Sequence, residues 1–245
     1  MSTDTLLATH AVTPRLDLYA GIHKALRSFM MDTLGRVGRI DTADTDDMEP
    51  TLEQLDALLT LCEKHLRHEN DFVHTAIEAR QPGASGRIAD EHREHLESIA
   101  ALRDEAQQLR RGGAGQRPAV ALRLYRHLAL FVAENFEHMH IEETVHNATL
   151  WAHYTDQELM ALHGRLMASI PPQEVLDVMR WMLPALGPAE RAGLLNGMKA
   201  QLPPHAFQAL VGYVRPHLDD IAWVKLAPAI GVEPWMPLSA ASRVA

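Results

Sequence analysis

The chain carries a single cysteine, Cys62, in 245 residues. No disulfide can therefore close within it, which agrees with a reducing compartment. Long apolar runs are missing too: each is broken by charge before it reaches the length of a membrane span. The opening stretch, MSTDTLLATHAVTPR, has neither the basic start nor the apolar core of a secretory signal. A soluble, cytoplasmic protein is expected. Basic runs are absent and the formal net charge is -9, so nucleic acid and anionic membranes are repelled and neither is expected as a partner. There is no acyl-transfer triad, phosphate-binding glycine loop or dinucleotide fingerprint. Aromatics are scarce: 5 Phe, 4 Tyr and 4 Trp are outnumbered by 15 His. That inverts the balance of a plain helical core and points to histidine chemistry.

What is present is helical periodicity. Four stretches carry apolar residues at alternating spacings of three and four. The first runs from about Arg15 to Val37, with Leu16, Tyr19, His23, Leu26, Met30, Thr33 and Val37 on one face. The second, from about Thr51 to Ala79, shows Leu55, Leu59, Cys62, His65, Glu69, Phe72 and Ala76. The third begins near Gly86 and shows Ile88, His92, His95, Ile99, Leu102, Ala106 and Leu109. The fourth, from about Ala119 to Trp151, shows Leu128, Phe131, Asn135, His138, Glu142, Val145 and Thr149. The glycine-, proline- and acid-rich segments between them read as loops, and Thr51 reads as the cap of the second helix. The expectation is an all-α fold: an antiparallel up-down-up-down four-helix bundle over residues 15–155. A smaller C-terminal helical region follows over 156–230, with tails at 1–14 and 231–245. Its proline-punctuated helices are expected at about Asp156 to Ser169, Gln173 to Leu183, Pro188 to Gln201, Pro204 to Tyr213 and Pro216 to Leu226.

Chemistry enters through a repeated pair. His65-x-x-x-Glu69 and His138-x-x-x-Glu142 each stack a histidine and a carboxylate on the inward face of a helix, where both can reach one ion. The chain runs 14 residues from His23 to Val37 and 14 from Thr51 to His65. In an antiparallel pair, that places both histidines at one depth, ~21 Å from the connecting end at about 1.5 Å per residue. His92 and His138 are matched similarly on the third and fourth helices. An unpaired ionisable group in a core costs several kcal/mol, and a metal centre removes that cost. The candidate ligands are His23, His65, Glu69, His92, His95, His138 and Glu142. Imidazole and carboxylate together favour iron, manganese or zinc over calcium. His68, His74, His140, His146 and His153 fall off the inward stripe and are expected in solvated or supporting roles.

Four pieces of sequence together resemble the hemerythrin-like, or HHE cation-binding, family across approximately residues 15–155. They are His23, His65-Leu66-Arg67-His68-Glu69, Glu91-His92 and Glu137-His138-Met139-His140-Ile141-Glu142-Glu143. The resemblance implies a four-helix bundle holding a non-haem di-iron centre, two iron ions, with zinc or manganese as possible occupants. The chain departs from the oxygen-carrier pattern in its third helix, where Ile88 stands four residues before His92 and His95 follows three after it. In the fourth helix, Glu142 stacks on His138, while oxygen carriers use the position of Glu143. A fainter similarity links Ile170 to Val232 with the helical segment that follows such bundles in some larger iron-responsive proteins.

The function implied is a di-iron protein that binds or senses oxygen, reactive oxygen or nitrogen species, or iron, with a small diatomic or peroxide as its ligand. An oxidoreductase with ferroxidase or peroxidase activity at the same centre is an alternative. So is a structural zinc bundle that meets a protein partner through its C-terminal helices. A ferritin-like reading fits less well, because Glu137-x-x-His140 and Glu143-x-x-His146 both lie on one helix.

Overall fold

A computed structural model describes residues 15–234. Every regular element among them is helical: α1 Ala20–Gly38, α2 Thr45–His68, α3 Thr75–Arg80, α4 Gly86–Arg111, α5 Arg117–Ile141 and α6 Asn147–His153, then α7 Asp156–Ser169, α8 Pro172–Ala185, α9 Pro188–Gln201, α10 Pro204–Val214 and α11 Asp220–Ala229. Among the described residues no helix is long and apolar enough to cross a membrane. The expected tail 1–14 and the stretch from 235 lie outside the described residues. Residues 231–234 of the expected C-terminal tail bond to α11: Val232 N donates to Ala227 O at 2.9 Å and Trp223 Nε1 to Pro234 O at 2.7 Å.

The long helices α1, α2, α4 and α5 each pack against two others of the set, α1 and α4 both touching α2 and α5. Their shared core is built from the residues that the three-and-four periodicity singles out, among them Leu26, Met30, Leu55, Leu59, Ile99, Leu102, Leu128 and Phe131. Burying each such side chain contributes roughly 1.5–3 kcal/mol, which ordinary helix propensity cannot match.

Helix α2 begins six residues before the expected Thr51. Its cap is Asp44, whose carboxylate accepts from Asp46 N at 2.9 Å, and Pro50 lies inside the helix. The backbone bond that proline forfeits falls near the helix start, where the cap and Asp46 and Asp47 in the first turn offset it. The equal count from Thr51 is thus not a distance from the helix end. The depths of His23 and His65 still match, because packing rather than loop length sets them.

Two π-helical turns interrupt the regular helices, Glu69–His74 between α2 and α3 and Glu142–His146 between α5 and α6. A π turn holds about one extra residue and so rotates everything after it. The buried positions accordingly move from the expected Phe72 and Ala76 to Val73 and Ile77, and from Val145 and Thr149 to His146 and Leu150. Val145 is 54% exposed, whereas His146 is 1% exposed. His74 and His146, expected off the inward stripe in solvated or supporting roles, are turned inward by this shift and both are buried.

The C-terminal helices α8 to α11 enclose a second apolar cluster around Leu183, Leu195, Val214 and Trp223. Helix α11 starts at Asp220, later than the expected Pro216, because Asp219 caps it by accepting from Ala222 N at 2.6 Å. Helix α8 lies along α1, where the Trp181 ring stacks on Phe29 with centroids 3.9 Å apart. A cleft of about 1280 Å³ runs between α1, α2 and the helices α7 and α8, and it reaches His65 and Glu69.

Candidate metal centre

His65 lies in the last turn of α2 and Glu69 opens the first π turn, while His138 lies in the last turn of α5 and Glu142 opens the second. One helical turn separates each pair, and the imidazole Nε2 stands 3.1 Å from the carboxylate in the first and 3.4 Å in the second. His23 arrives from α1 and His92 from α4. The result is two four-membered groups, His23, His65, Glu69 and Glu142, and Glu69, His92, His138 and Glu142, each with ligand atoms within 4.8 Å of one another.

The two groups share both carboxylates, and the oxygens divide between them. Glu69 directs Oε1 at His23 and His65 (3.7 and 3.1 Å) and Oε2 at His92 (3.6 Å). Glu142 directs Oε2 at His23 (3.4 Å) and Oε1 at His92 and His138 (3.7 and 3.4 Å). Each carboxylate thus presents one oxygen to each group.

The histidine rings are fixed from behind. His23 Nδ1 lies 3.0 Å from Glu143 Oε1, His138 Nδ1 lies 2.9 Å from Glu91 Oε2, and His92 Nδ1 lies 2.8 Å from Asn70 Oδ1. An acceptor at Nδ1 keeps the hydrogen there and leaves the Nε2 lone pair facing the other donors, the usual setting of a ligating histidine. Arg27 in turn holds Glu143, with Nη2 donating to Oε2 at 3.0 Å.

Inside the cluster most of the ligand atoms have nothing to bond. Both oxygens of Glu69, both oxygens of Glu142 and the Nε2 atoms of His23, His65, His74 and His146 are buried without a hydrogen-bond partner. Orphaned buried polar atoms are rare in folded proteins and costly. Such a concentration, with alternating lone pairs and carboxylate charge, fits positive ions in the two groups.

The electrostatics agree. Burial and the neighbouring Glu142 push Glu69 up to about 8. Burial acts in the same direction on Glu142, yet the His138 and His92 imidazoles beside it hold it well below the usual carboxylate range. Burial alone would lower His23, but Glu143 and Glu69 raise it to about 9. His65 is driven well down by burial and by His23 beside it. Without a cation, the cluster keeps protons where a metal would otherwise sit.

Of the expected ligands, His23, His65, Glu69, His92, His138 and Glu142 come together. His95 does not join either group; its ring is buried against His138 and Phe131, with centroids 4.8 and 5.9 Å away. Glu143 meets His23 and Arg27, while Glu142, the carboxylate that helical phase favours, lies in both groups. Sequence reasoning missed a third group, His74, His146 and Glu142. Spacing that assumes an unbroken α-helix could not find it. The only signal was the presence of a histidine soon after each His-x-x-x-Glu pair.

No protein-family model matches this chain, and no curated protein matches it.

Proposed function

We propose that this is a hemerythrin-like protein whose paired site holds a non-haem di-iron centre and uses it to bind or sense a small molecule, either oxygen or a reactive oxygen or nitrogen species. The observation that carries this reading is the division of Glu69 and Glu142 between two histidine groups, each carboxylate offering one oxygen to either side.

The arrangement of helices supports it. Gln54 meets Asp32 and Thr33 near one end of α1, while His65 and Glu69 meet His23 near the other. Arg103 bonds Glu63 and Arg110 bonds Glu49. Arg123 bonds Glu105 and His138 bonds Glu91. Arg27 lies over Phe136, and Tyr19 reaches His146. Residue numbers rise on one partner as they fall on the other in every pair, as an antiparallel up-down-up-down bundle requires.

His23 and His65 would terminate one side, His92 and His138 the other, and Glu69 and Glu142 would bridge. Two iron ions there would supply one-electron redox steps and coordination positions open to a diatomic or small anion. The protein's part is to bring deprotonated donors together, hold their rings from behind and keep bulk water out. The cleft that reaches His65 and Glu69 supplies a path of entry.

The test is anaerobic reconstitution with ferrous iron, elemental analysis and optical spectra before and after air. Two irons per chain with an oxygen-dependent absorbance are expected, both lost in a His65→Ala, His138→Ala double variant. A wild-type chain that retains no iron, or takes zinc in preference and shows no oxygen-dependent band, overturns the proposal.

A further inference from the structure

The cleft between α1, α2, α7 and α8 is far larger than a diatomic ligand needs. A small diatomic asks for little more than the roughly 30 Å³ that one water occupies in the liquid, and the cleft holds about 1280 Å³. That exceeds the ~300–1,000 Å³ of a typical pocket for a whole organic ligand. Its wall on α2 runs from Pro50 to His68, ~27 Å of helix at about 1.5 Å per residue. The space is therefore long, and it touches His65 and Glu69.

Much of the wall is apolar and incompletely covered. Ile22 from α1, Leu61 from α2, Leu166 from α7, and Val175, Val178 and Met182 from α8 all line the cleft, and all stay partly exposed. Single exposed apolar side chains are ordinary on a surface, but here four helices gather them into one concave space. A bound apolar molecule would remove that surface from water, which is the driving force for its binding.

Charge selects the class of occupant. Carboxylates outnumber Lys and Arg on the walls seven to three, and all three cations are engaged. Lys64 Nζ meets Glu174 Oε1 at 3.0 Å, Arg36 Nε meets Asp32 Oδ2 at 3.1 Å, and Arg180 lies over the Trp181 ring, 5.6 Å from its centroid. A ligand carboxylate or phosphate would enter a field of its own sign and displace a carboxylate to find a cation. The carboxylates offer no seat for a cation either. Glu174 and Glu190 are paired with Lys64 and Lys24, Asp17 accepts from Tyr19 N and Ala20 N at the start of α1, and Glu69 belongs to the metal centre. Glu53, Asp56 and Asp177 are exposed, where water screens them. The interior offers hydrocarbon and no uncompensated charge.

We infer that this cleft binds an elongated, uncharged apolar molecule of the long-chain alcohol or isoprenoid kind, lying along α2 with His65 beside it. The site needs no metal, so it stands or falls separately from the dinuclear centre.

The test uses the metal-free full chain and the uncharged dye Nile red, whose fluorescence rises and shifts to the blue in apolar surroundings. Saturable binding of one dye per chain is expected. Dodecanol should displace it, whereas dodecanoate and dodecyltrimethylammonium, all kept below micelle formation, should require at least about tenfold higher concentration. Val178→Trp fills the cleft from α8 and Leu166→Trp fills it from α7, so one variant reports if the other does not fold. Each is expected to weaken dye binding about tenfold or more while circular dichroism shows wild-type helix content. Dye that does not saturate, or that binds either folded variant as tightly as the wild type, overturns the site. Displacement by either charged amphiphile at the alcohol's concentration overturns the uncharged class. Iron content, measured separately, bears on the metal centre alone.

Discussion

The Nε2 atoms of His92 and His138 face each other at 3.1 Å while both rings commit Nδ1 to an oxygen acceptor behind them. Two lone pairs at that distance repel, and only a proton or a cation between them makes the contact favourable. In the metal-free chain a proton serves: His138 is raised, because Glu142 and Glu91 outweigh its burial, while burial lowers His92. A metal ion held by both rings would take the place of that proton.

Metal should therefore stabilise the fold. A cation that binds only the native state, present at about a thousandfold excess over its dissociation constant, contributes roughly 4 kcal/mol. For a chain of this size, that raises the thermal midpoint by roughly 10 °C. Melting followed by circular dichroism, with and without chelator, checks it; coincident curves would contradict the ligand assignment.

Removing a support behind a ligand should weaken the site without removing a donor. Glu91→Ala strips the acceptor from His138 Nδ1, and Asn70→Ala does the same for His92. Each change is expected to reduce metal affinity about 10- to 100-fold. Competition against a chromophoric chelator measures this. Affinity equal to wild type in both variants would mean that the rings are oriented by packing alone.

The metal-free chain should be most stable near pH 6.5. Burial lowers His74 to about 3 and His95 to about 4 from an ordinary 6.5. The unfolded chain thus binds more protons over that interval, and stability rises with pH up to about 6.5. His23, raised to about 9 from 6.5, and Glu69, raised to about 8 from 4.5, act oppositely. For these groups the native state holds the extra protons, so their contribution is complete below the unfolded values and is lost as pH climbs to 8 and 9. Metal binding requires those protons to leave, so the loaded chain should keep its stability on the alkaline side. Thermal midpoints across pH 4 to 10, in both forms, decide it. A metal-free midpoint that goes on rising above about pH 8 would show that the buried pair is not protonated as described.

Trp181→Ala should loosen α8 from α1. The stacked ring on Phe29 is half-buried, so the loss is expected at about 2–3 kcal/mol, below the 3–5 kcal/mol typical of a fully buried tryptophan. Denaturant unfolding measures the loss, and limited proteolysis should find new cleavage between α7 and α9. Stability within about 0.5 kcal/mol of wild type would mean that the contact adds nothing to the packing.

The sequence by itself determined the all-helical character and the inward faces of α1, α2, α4 and α5 up to the glutamates. It also determined the two His-x-x-x-Glu pairs. These are local facts: residues four apart share a helix face whatever the rest of the chain does. Helical phase alone likewise turned Glu142 inward and left Glu143 to its side. Only the tertiary structure decided the rest. The π turns after Glu69 and Glu142 rotate His74 and His146 inward, and a period of 3.6 cannot register an inserted residue whose cost is repaid by packing elsewhere. His95 lies on the inward stripe yet stays outside both ligand groups, since which level along α4 meets the other ligands is set by the helices packed on it and not by its own periodicity. The partners that hold the rings, Asn70, Glu91 and Glu143, reach their histidines from other segments of the chain, at sequence separations from 22 to 120 residues. No spacing rule connects residues so far apart; the docking of one helix on another does.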